Sequence, residues 1–364
     1  MVSVSGRFAK PNASKESGYL MIEQIHIKNF RCFRDLELGV LKRFNVLVGE
    51  SGSGKTAFLE AIFMAAAANP EAYLRLRTWR GLGEIRLTGM RRSYESMFRE
   101  IFFGFDKSEG ASIRLRDSRT GQRSISINYR SGAQYSLPLR AGKSSAMVID
   151  PLLFRWKVGD KVHDGSISIE DGKLNFVGFS DVYPIWLISP AAPENLAENF
   201  SELSKRQEHK QILEAIRGVF PWVCDLSLES IAGQLAICAS LDGLSEKLPI
   251  GFVSGGIHKF LWILLAIASN PNGTVLIDEA ENGLYFRSMQ PMLESVVSFA
   301  ELHNVQLFIT THSREFLDAL AIAMEGRDEH FVLLRTQHKG AECQVHSSQG
   351  RSSLAALQQH LELR

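Results

Sequence analysis

Gly49-Glu50-Ser51-Gly52-Ser53-Gly54-Lys55-Thr56 lies between an apolar run at 44–48 and a helix pattern at 55–68. The octapeptide satisfies GxxxxGK[ST] at every fixed position, and strand–loop–helix is the context that pattern requires. Glycines let successive backbone N–H groups turn inward around phosphate oxygens, and the helix behind presents its positive end to them. Lys55 is placed to reach β- and γ-phosphates as a point charge. The Thr56 hydroxyl is a hard oxygen ligand for Mg2+. All eight residues are therefore candidate nucleotide-binding positions. The run at 44–48 is too short for a helix and reads as a buried strand. The helix pattern is stopped by Asn69-Pro70.

A second strand-like run, 274–277, ends in Asp278-Glu279. A strand buried on both faces holds such carboxylates rigidly at its carboxyl end, where α/β sheets bind ligands. Asp278 is the candidate magnesium ligand, through water. Glu279 is the candidate catalytic residue that orients and polarises the attacking water. Between the phosphate loop and this pair, Ser254-Gly255-Gly256 precedes a very apolar helix pattern at 257–268. A hydroxyl, unhindered N–H groups and a helix start make a second phosphate-binding surface. One loop already serves one side of the nucleotide, so the second would serve the ATP of another subunit. His312 follows the apolar run 305–309 and is placed to hydrogen-bond the γ-phosphate and sense its loss.

The order of these motifs resembles the ABC-type ATPases, and within them the RecF/SMC/OLD-like group often called AAA family ATPases. IHIKNFRCFRDLEL resembles that group's opening hairpin, and PNGTVLIDEAENGLYF its extended Walker B and D-loop. THSREFLDAL resembles its H-loop, and SSLAALQQHLELR its C-terminal helix. The likeness covers about 21–69 and 186–364. It implies an α/β fold: an ABC-type ATPase head whose mixed or parallel sheet is flanked by helices, with an inserted α+β arm. It makes Ser254, Gly255 and Gly256 the signature motif and puts Asn282, Gly283 and Leu284 in a D-loop at a dimer seam. It also brings Arg31 toward the nucleotide and implies ATP as the nucleotide, since the motifs alone do not separate adenine from guanine. In three respects the chain departs from the group. Tyr285 stands where His is common, Ser189-Pro190 occupies the region of the Q-loop glutamine, and no TOPRIM-like segment follows within these 364 residues.

The surrounding sequence sets the organisation. Residues 1–20 read as a mobile tail, with Met21 a second candidate start, and 21–69 as the first part of the ATPase lobe. Segment 70–104 carries seven arginines against four glutamates, and hairpin-like alternation appears at 112–115, 124–129 and 166–176. Residues 70–185 are thus expected to form the insertion. From 186 to 364 the pattern returns to α/β, with an amphipathic helix expected at 203–219 and buried parallel strands at 274–277, 305–309 and 331–334.

Composition excludes several classes of function. The chain is 45% hydrophobic and 22% charged, with a formal net charge of +1, so it is globular and is not a globally basic nucleic-acid binder. No apolar run reaches the ~18 residues of a membrane span. The first twenty residues lack a secretory apolar core. Cys32, Cys224, Cys238 and Cys343 are far apart and form no CxxC pair, which argues against a disulfide framework and for a reducing cytoplasm. Glu208-His209-Lys210 reads as a solvated helix face rather than half of a nuclease motif.

Two functions fit. One is a homodimeric, ATP-switched ATPase with ATP at the interface, open to higher assembly. It would act for a separate nuclease or toxin effector in anti-phage defence. The other is a RecF-like ATPase that clamps duplex DNA, with the 70–104 arginines on phosphates. A transporter ATPase is disfavoured by the Asn-Phe-Arg opening and the large insertion. A ring-forming AAA+ motor is disfavoured by the Ser-Gly-Gly signature.

Overall fold

The computed structural model describes residues 21–67, 69–81, 98–129, 149–170, 173–178, 183–189 and 196–349. The expected tail at 1–20, Arg86, Arg91, Arg92, Glu84, Glu95, the Asp171-Gly172 turn, Pro190 and the segment 352–364 lie outside the described residues.

The chain opens with a hairpin of β1 (Ile22–Phe30) and β2 (Phe33–Leu38). It then enters β3 (Phe44–Val48) and turns through the phosphate loop into α1 (Lys55–Ala67) and α2 (Glu71–Trp79). Five antiparallel strands follow: β4 (Ala111–Asp117), β5 (Gly121–Tyr129), β6 (Ile149–Val158), β7 (Lys161–Glu170) and β8 (Lys173–Val177). Next come β9 (Ile185–Ile188), α3 (Leu196–Lys205), α4 (His209–Val219), β10 (Val223–Ile231), β11 (Gln234–Leu241) and β12 (Leu248–Pro249). The last stretch holds α5 (Gly255–Ser269), β13 (Thr274–Ile277), α6 (Phe286–Leu302), β14 (Gln306–Thr310), α7 (Arg314–Ala323), β15 (Phe331–Lys339) and β16 (Glu342–Gln349). Among the described residues no helix is long and apolar enough to cross a membrane.

Two compact units result: residues 1–39, 57–185 and 338–344, and residues 40–56, 186–337 and 345–364. In the first, a seven-stranded sheet runs in the order β2-β1-β4-β5-β6-β7-β8, so the opening hairpin shares a sheet with strands of 111–177. Its neighbouring strands are all antiparallel. Strict alternation buries one face: Ile25 and Ile27 on β1, Ile113 and Leu115 on β4, Ile125 and Ile127 on β5, Phe154 and Trp156 on β6. Helix α1 lies against that sheet, with Phe58 edge-on to Phe33 at 6.5 Å and the Ala66 carbonyl accepting from Arg123. The strand β6 has no counterpart among the expected hairpins. Phe154 and Trp156 are buried and alternate there with exposed Arg155 and Lys157.

The second unit holds a six-stranded sheet in the order β16-β15-β3-β14-β13-β9. Strands β15, β3, β14 and β13 run parallel, as the short apolar runs predict. β3 sits between two neighbours and is buried along its whole length. Its one polar residue, Asn45, donates to the carbonyls of Lys42 and Leu307 and accepts from the Lys42 N–H, which removes the penalty of burying an amide. Helix α5 is apolar on all sides because it is enclosed on all sides.

Two local features differ from the sequence pattern. The helix expected at 203–219 is two helices. Gln207 takes a left-handed φ of 61° and the Glu208 N–H bonds back to the Leu203 carbonyl, closing α3 before α4 begins. An antiparallel sheet β10-β11-β12 interrupts the α/β pattern. Its hairpin turn is Ala232-Gly233, both with positive φ. Alanine at the first position hides the Asn-Gly or Asp-Gly signal by which such turns are read.

Candidate nucleotide-binding and hydrolytic site

Every residue of the site lies in the second unit, at the carboxyl ends of β3, β13 and β14, where a parallel sheet places its ligands. The loop after β3 is held tightly. A Cβ on Gly49, whose φ is 146°, would collide with the carbonyl and hydroxyl of Thr336 on β15. Ser53 Oγ and Thr336 Oγ1 share a 2.5 Å hydrogen bond, and Thr336 also donates to the Val48 carbonyl. Gly54 takes a φ of 99° as the chain enters α1. Glu50 and Ser51 are exposed at the loop's crest, as is Gly52.

Lys55 Nζ donates to the Gly49 and Glu50 carbonyls, both at 2.8 Å. Burial lowers the pKa of this ammonium below its ordinary value, while the nearby carboxylates of Asp278, Glu281 and Glu279 oppose that shift. Thr56 Oγ1 donates to Asp278, lying 3.2 and 3.0 Å from its two carboxylate oxygens. The first acid of the β13 pair and the last residue of the loop motif, 222 residues apart in sequence, thus form one set of hard oxygen donors.

Thr310, at the end of β14, organises the acid pair. Its hydroxyl donates to Asp278 Oδ1 at 2.6 Å and accepts from the Glu279 N–H at 2.8 Å. Its carbonyl accepts from Ala280. These bonds hold Glu279 at a φ of 48°, a region unfavourable for a glutamate. The Glu279 carboxylate is only half-buried and accepts from the Asn282 side chain at 2.6 Å. The motif reading does not single out Thr310, since a threonine at a strand end carries no signal of its own. Thr310→Val is expected to leave the Glu279 N–H without its partner and to remove the shortest donor to Asp278 Oδ1. The loss should be about 1–3 kcal/mol, with at least a tenfold fall in turnover. Thermal denaturation and steady-state kinetics measure both, and unchanged values in the two would show the hydroxyl to be idle.

Glu281 is a second residue the motif reading passes over. Its Oε1 accepts from the His312 N–H at 2.7 Å, and its Oε2 is buried with no hydrogen-bond partner. It ties the turn after β13 to the turn after β14. His312 itself is exposed beside it, and Ser313 caps α7 by accepting from the Phe316 N–H.

Ser254 caps α5, its hydroxyl accepting from the N–H groups of Gly256 and Ile257. Gly255 is exposed. A Cβ on Gly256 would sit 3.2 Å from the Gly283 carbonyl, so this turn packs against the 282–284 turn. Lys55, Thr56, Asp278 and Glu279 are therefore drawn together, Glu281 and His312 adjoin them, and Ser254–Gly256 forms a second surface with Gly283. Tyr285 is exposed next to it, edge-on to Phe286 at 4.7 Å. Ser189 follows β9, whose Ile188 carbonyl accepts the Asp278 N–H.

In the first unit, Arg31 does not stand free for a nucleotide. Its guanidinium bonds Glu60 and the Glu100 carbonyl. Arg77 pairs with Glu100 and Arg80 with Glu60, so these members of the 70–104 cluster serve the fold.

Comparison with known proteins agrees with this geometry. Residues 24–152 match the AAA domain family, and residues 241–318 match the family described as AAA domain, putative AbiEii toxin, Type IV TA system. The ATP/GTP phosphatase of Helicobacter pylori is 22% identical over 341 residues, which covers 85% of this chain and 90% of that protein. The DNA replication and repair protein RecF of Idiomarina loihiensis is 28% identical over 109 residues, covering 30% of this chain and 27% of RecF. The Smc head bound to the C-winged helix domain of ScpA superposes with a TM-score of 0.51 at 13% identity, over 92% of this chain and 99% of that one. The chain has the α/β fold of an SMC head, and these likenesses together support an ABC-type P-loop ATPase of the RecF/SMC group.

Proposed function

We propose that this ATPase is a magnesium-dependent homodimeric switch: ATP closes two copies head to tail, hydrolysis releases them, and a separate effector protein reads the difference. The observation that carries the reading is the hydrogen-bonded series Thr56–Asp278–Thr310–Glu279 beside Lys55. Lys55 would exchange its loop carbonyls for β- and γ-phosphate oxygens. Thr56 and Asp278 fit a magnesium ion, since a hydroxyl and one carboxylate are the sparse protein donor set that ion uses beside phosphates and water. Magnesium, when bound, neutralises charge on the phosphate oxygens. Glu279 would hold the attacking water in line and accept its proton, and His312 would report the γ-phosphate. Both act at the surface of their own subunit, where a partner's Ser254–Gly256 turn would supply N–H donors.

The name of the Helicobacter pylori relative pairs ATP with GTP, so both nucleotides belong in the assay. The description of the family matched over 241–318 supports a link to a toxin–antitoxin system; a separate nuclease or toxin effector in anti-phage defence is the form of that link proposed here. Gly255→Arg tests the dimer. Nothing lies within 4 Å of a Cβ there, so the subunit should stay folded while the ATP-dependent doubling of mass is lost. A variant that still doubles its mass would sink the head-to-tail arrangement.

A second reading has its own observation. The open face of the seven-stranded sheet presents Lys28, Arg114, Arg116 and Lys157, all exposed and brought together by the β1–β4–β5–β6 register. With the RecF likeness, this supports a duplex DNA partner. Hydrolysis measured with and without DNA at two salt concentrations separates the two, because phosphate contacts weaken steeply with salt.

A further inference from the structure

We propose that Cys32 and Cys343 form a reversible disulfide, a redox-sensitive staple between the turn of the first hairpin and the last hairpin of the chain. The two lie 311 positions apart in sequence and in the same compact unit. Cys32 is in the two-residue turn that joins Phe30 to Phe33, and Cys343 is on β16. The Cys343 N–H donates to the Cys32 carbonyl at 2.8 Å. That bond sets the two residues side by side, and a disulfide requires their Cα atoms to lie within roughly 4.4–6.8 Å of each other. The side chains are neighbours as well, since each thiol shifts the ionisation of the other.

The environment divides the labour between them. The hydrogen bond from Cys32 holds the Cys343 sulfur below its ordinary value, to about 7, with His338 adding to the effect against burial. Cys32 is pushed up by the same bond, by burial and by the adjacent Glu60. The disulfide follows from the pairing whichever sulfur leads; Cys343 is taken as the nucleophile and Cys32 as the resolving thiol. Arg31, next to Cys32, is fixed on Glu60 and the Glu100 carbonyl, which holds the turn in place.

With hydrogen peroxide as the oxidant, the Cys343 thiolate attacks one peroxide oxygen and the O–O bond breaks. This leaves a sulfenic acid and releases hydroxide, which becomes water. Cys32 then gives up its proton and attacks the Cys343 sulfur. The S–S bond forms, the S–O bond breaks, and a second water leaves. Two thiols are oxidised by two electrons and one peroxide is reduced to two waters. A small dithiol reverses the reaction by exchange.

The experiment uses the full chain carrying Cys224→Ser, which removes the exposed thiol. After peroxide treatment, free thiols are alkylated and the digest is mapped by mass spectrometry. The expected result is a Cys32–Cys343 linked peptide, two fewer alkylated thiols, and a melting temperature several degrees higher that dithiothreitol returns to the starting value. Cys32→Ser in the same background should instead leave a Cys343 sulfenic acid that dimedone traps. The proposal is overturned if both thiols remain alkylatable, or if Cys343 oxidises without linking to Cys32 in the protein that retains both.

Discussion

Glu279→Gln is expected to lower the turnover of Mg·ATP by about 10²–10⁴-fold, the usual weight of a positioned general base, while nucleotide still binds within a few-fold of wild type. The substitution is close to isosteric. The bonds that hold the residue at its unfavourable φ come from its own N–H and from Ala280, both to Thr310, and they survive the change. Its side-chain partner Asn282 can still donate to the remaining carbonyl oxygen. A protein that binds ATP but does not cleave it should accumulate as the ATP-bound dimer, visible as doubled mass in Mg·ATP that persists for hours rather than minutes. Turnover unchanged in Glu279→Gln would remove Glu279 from the catalytic role. Glu281, two residues further on and with its Oε2 buried and unbonded, would then be the next residue to test.

Lys55→Met should act earlier in the cycle. The ammonium is buried, already desolvated, and surrounded by the loop carbonyls of Gly49 and Glu50. A cation in that state gives more to a phosphate than an exposed one, because the cost of removing its water is already met by the fold. The expected loss of ATP affinity is at least 100-fold. Methionine keeps the length of the side chain and limits the cavity. The measurement is the thermal upshift in Mg·ATP. For wild type at a concentration 100 times Kd, binding adds about 2.7 kcal/mol to stability, and Lys55→Met should add almost none. An equal upshift in both proteins would mean that the phosphates sit elsewhere. The apo variant is expected to be less stable at low salt, because Asp278, Glu279 and Glu281 lose the nearby cation.

Much of this architecture is readable from short stretches. The phosphate loop, the strand ahead of it and the helix behind it are contiguous, and each of their requirements is local: positive φ at Gly54, a free helix start, an apolar strand. The same holds for β13 and its two acids, and for the cap that Ser254 makes on α5. The sheet β10-β11-β12 was hidden because its turn uses Ala232-Gly233, and the break at Gln207 because a glutamine in the left-handed region leaves no mark on the apolar pattern.

What the amino-acid sequence determined by itself was the local form of single segments and the chemistry expected of them: a loop suited to phosphates, a strand end suited to a metal and a water, a capped turn suited to donating N–H groups. What only the tertiary structure decided was which of these meet, and through what. Thr310 joins Asp278 to Glu279, Thr336 braces the phosphate loop, Glu281 holds the turn at His312, Arg31 closes on Glu60, and Cys32 touches Cys343. Each of these contacts is a bond between residues whose types are common and whose spacing has no period. They arise when parallel strands are set side by side or a hairpin is folded back, and the burial of apolar faces brings those strands together. The polar groups at their ends then have to find one another, because once water is excluded an unmet hydrogen bond is the larger cost.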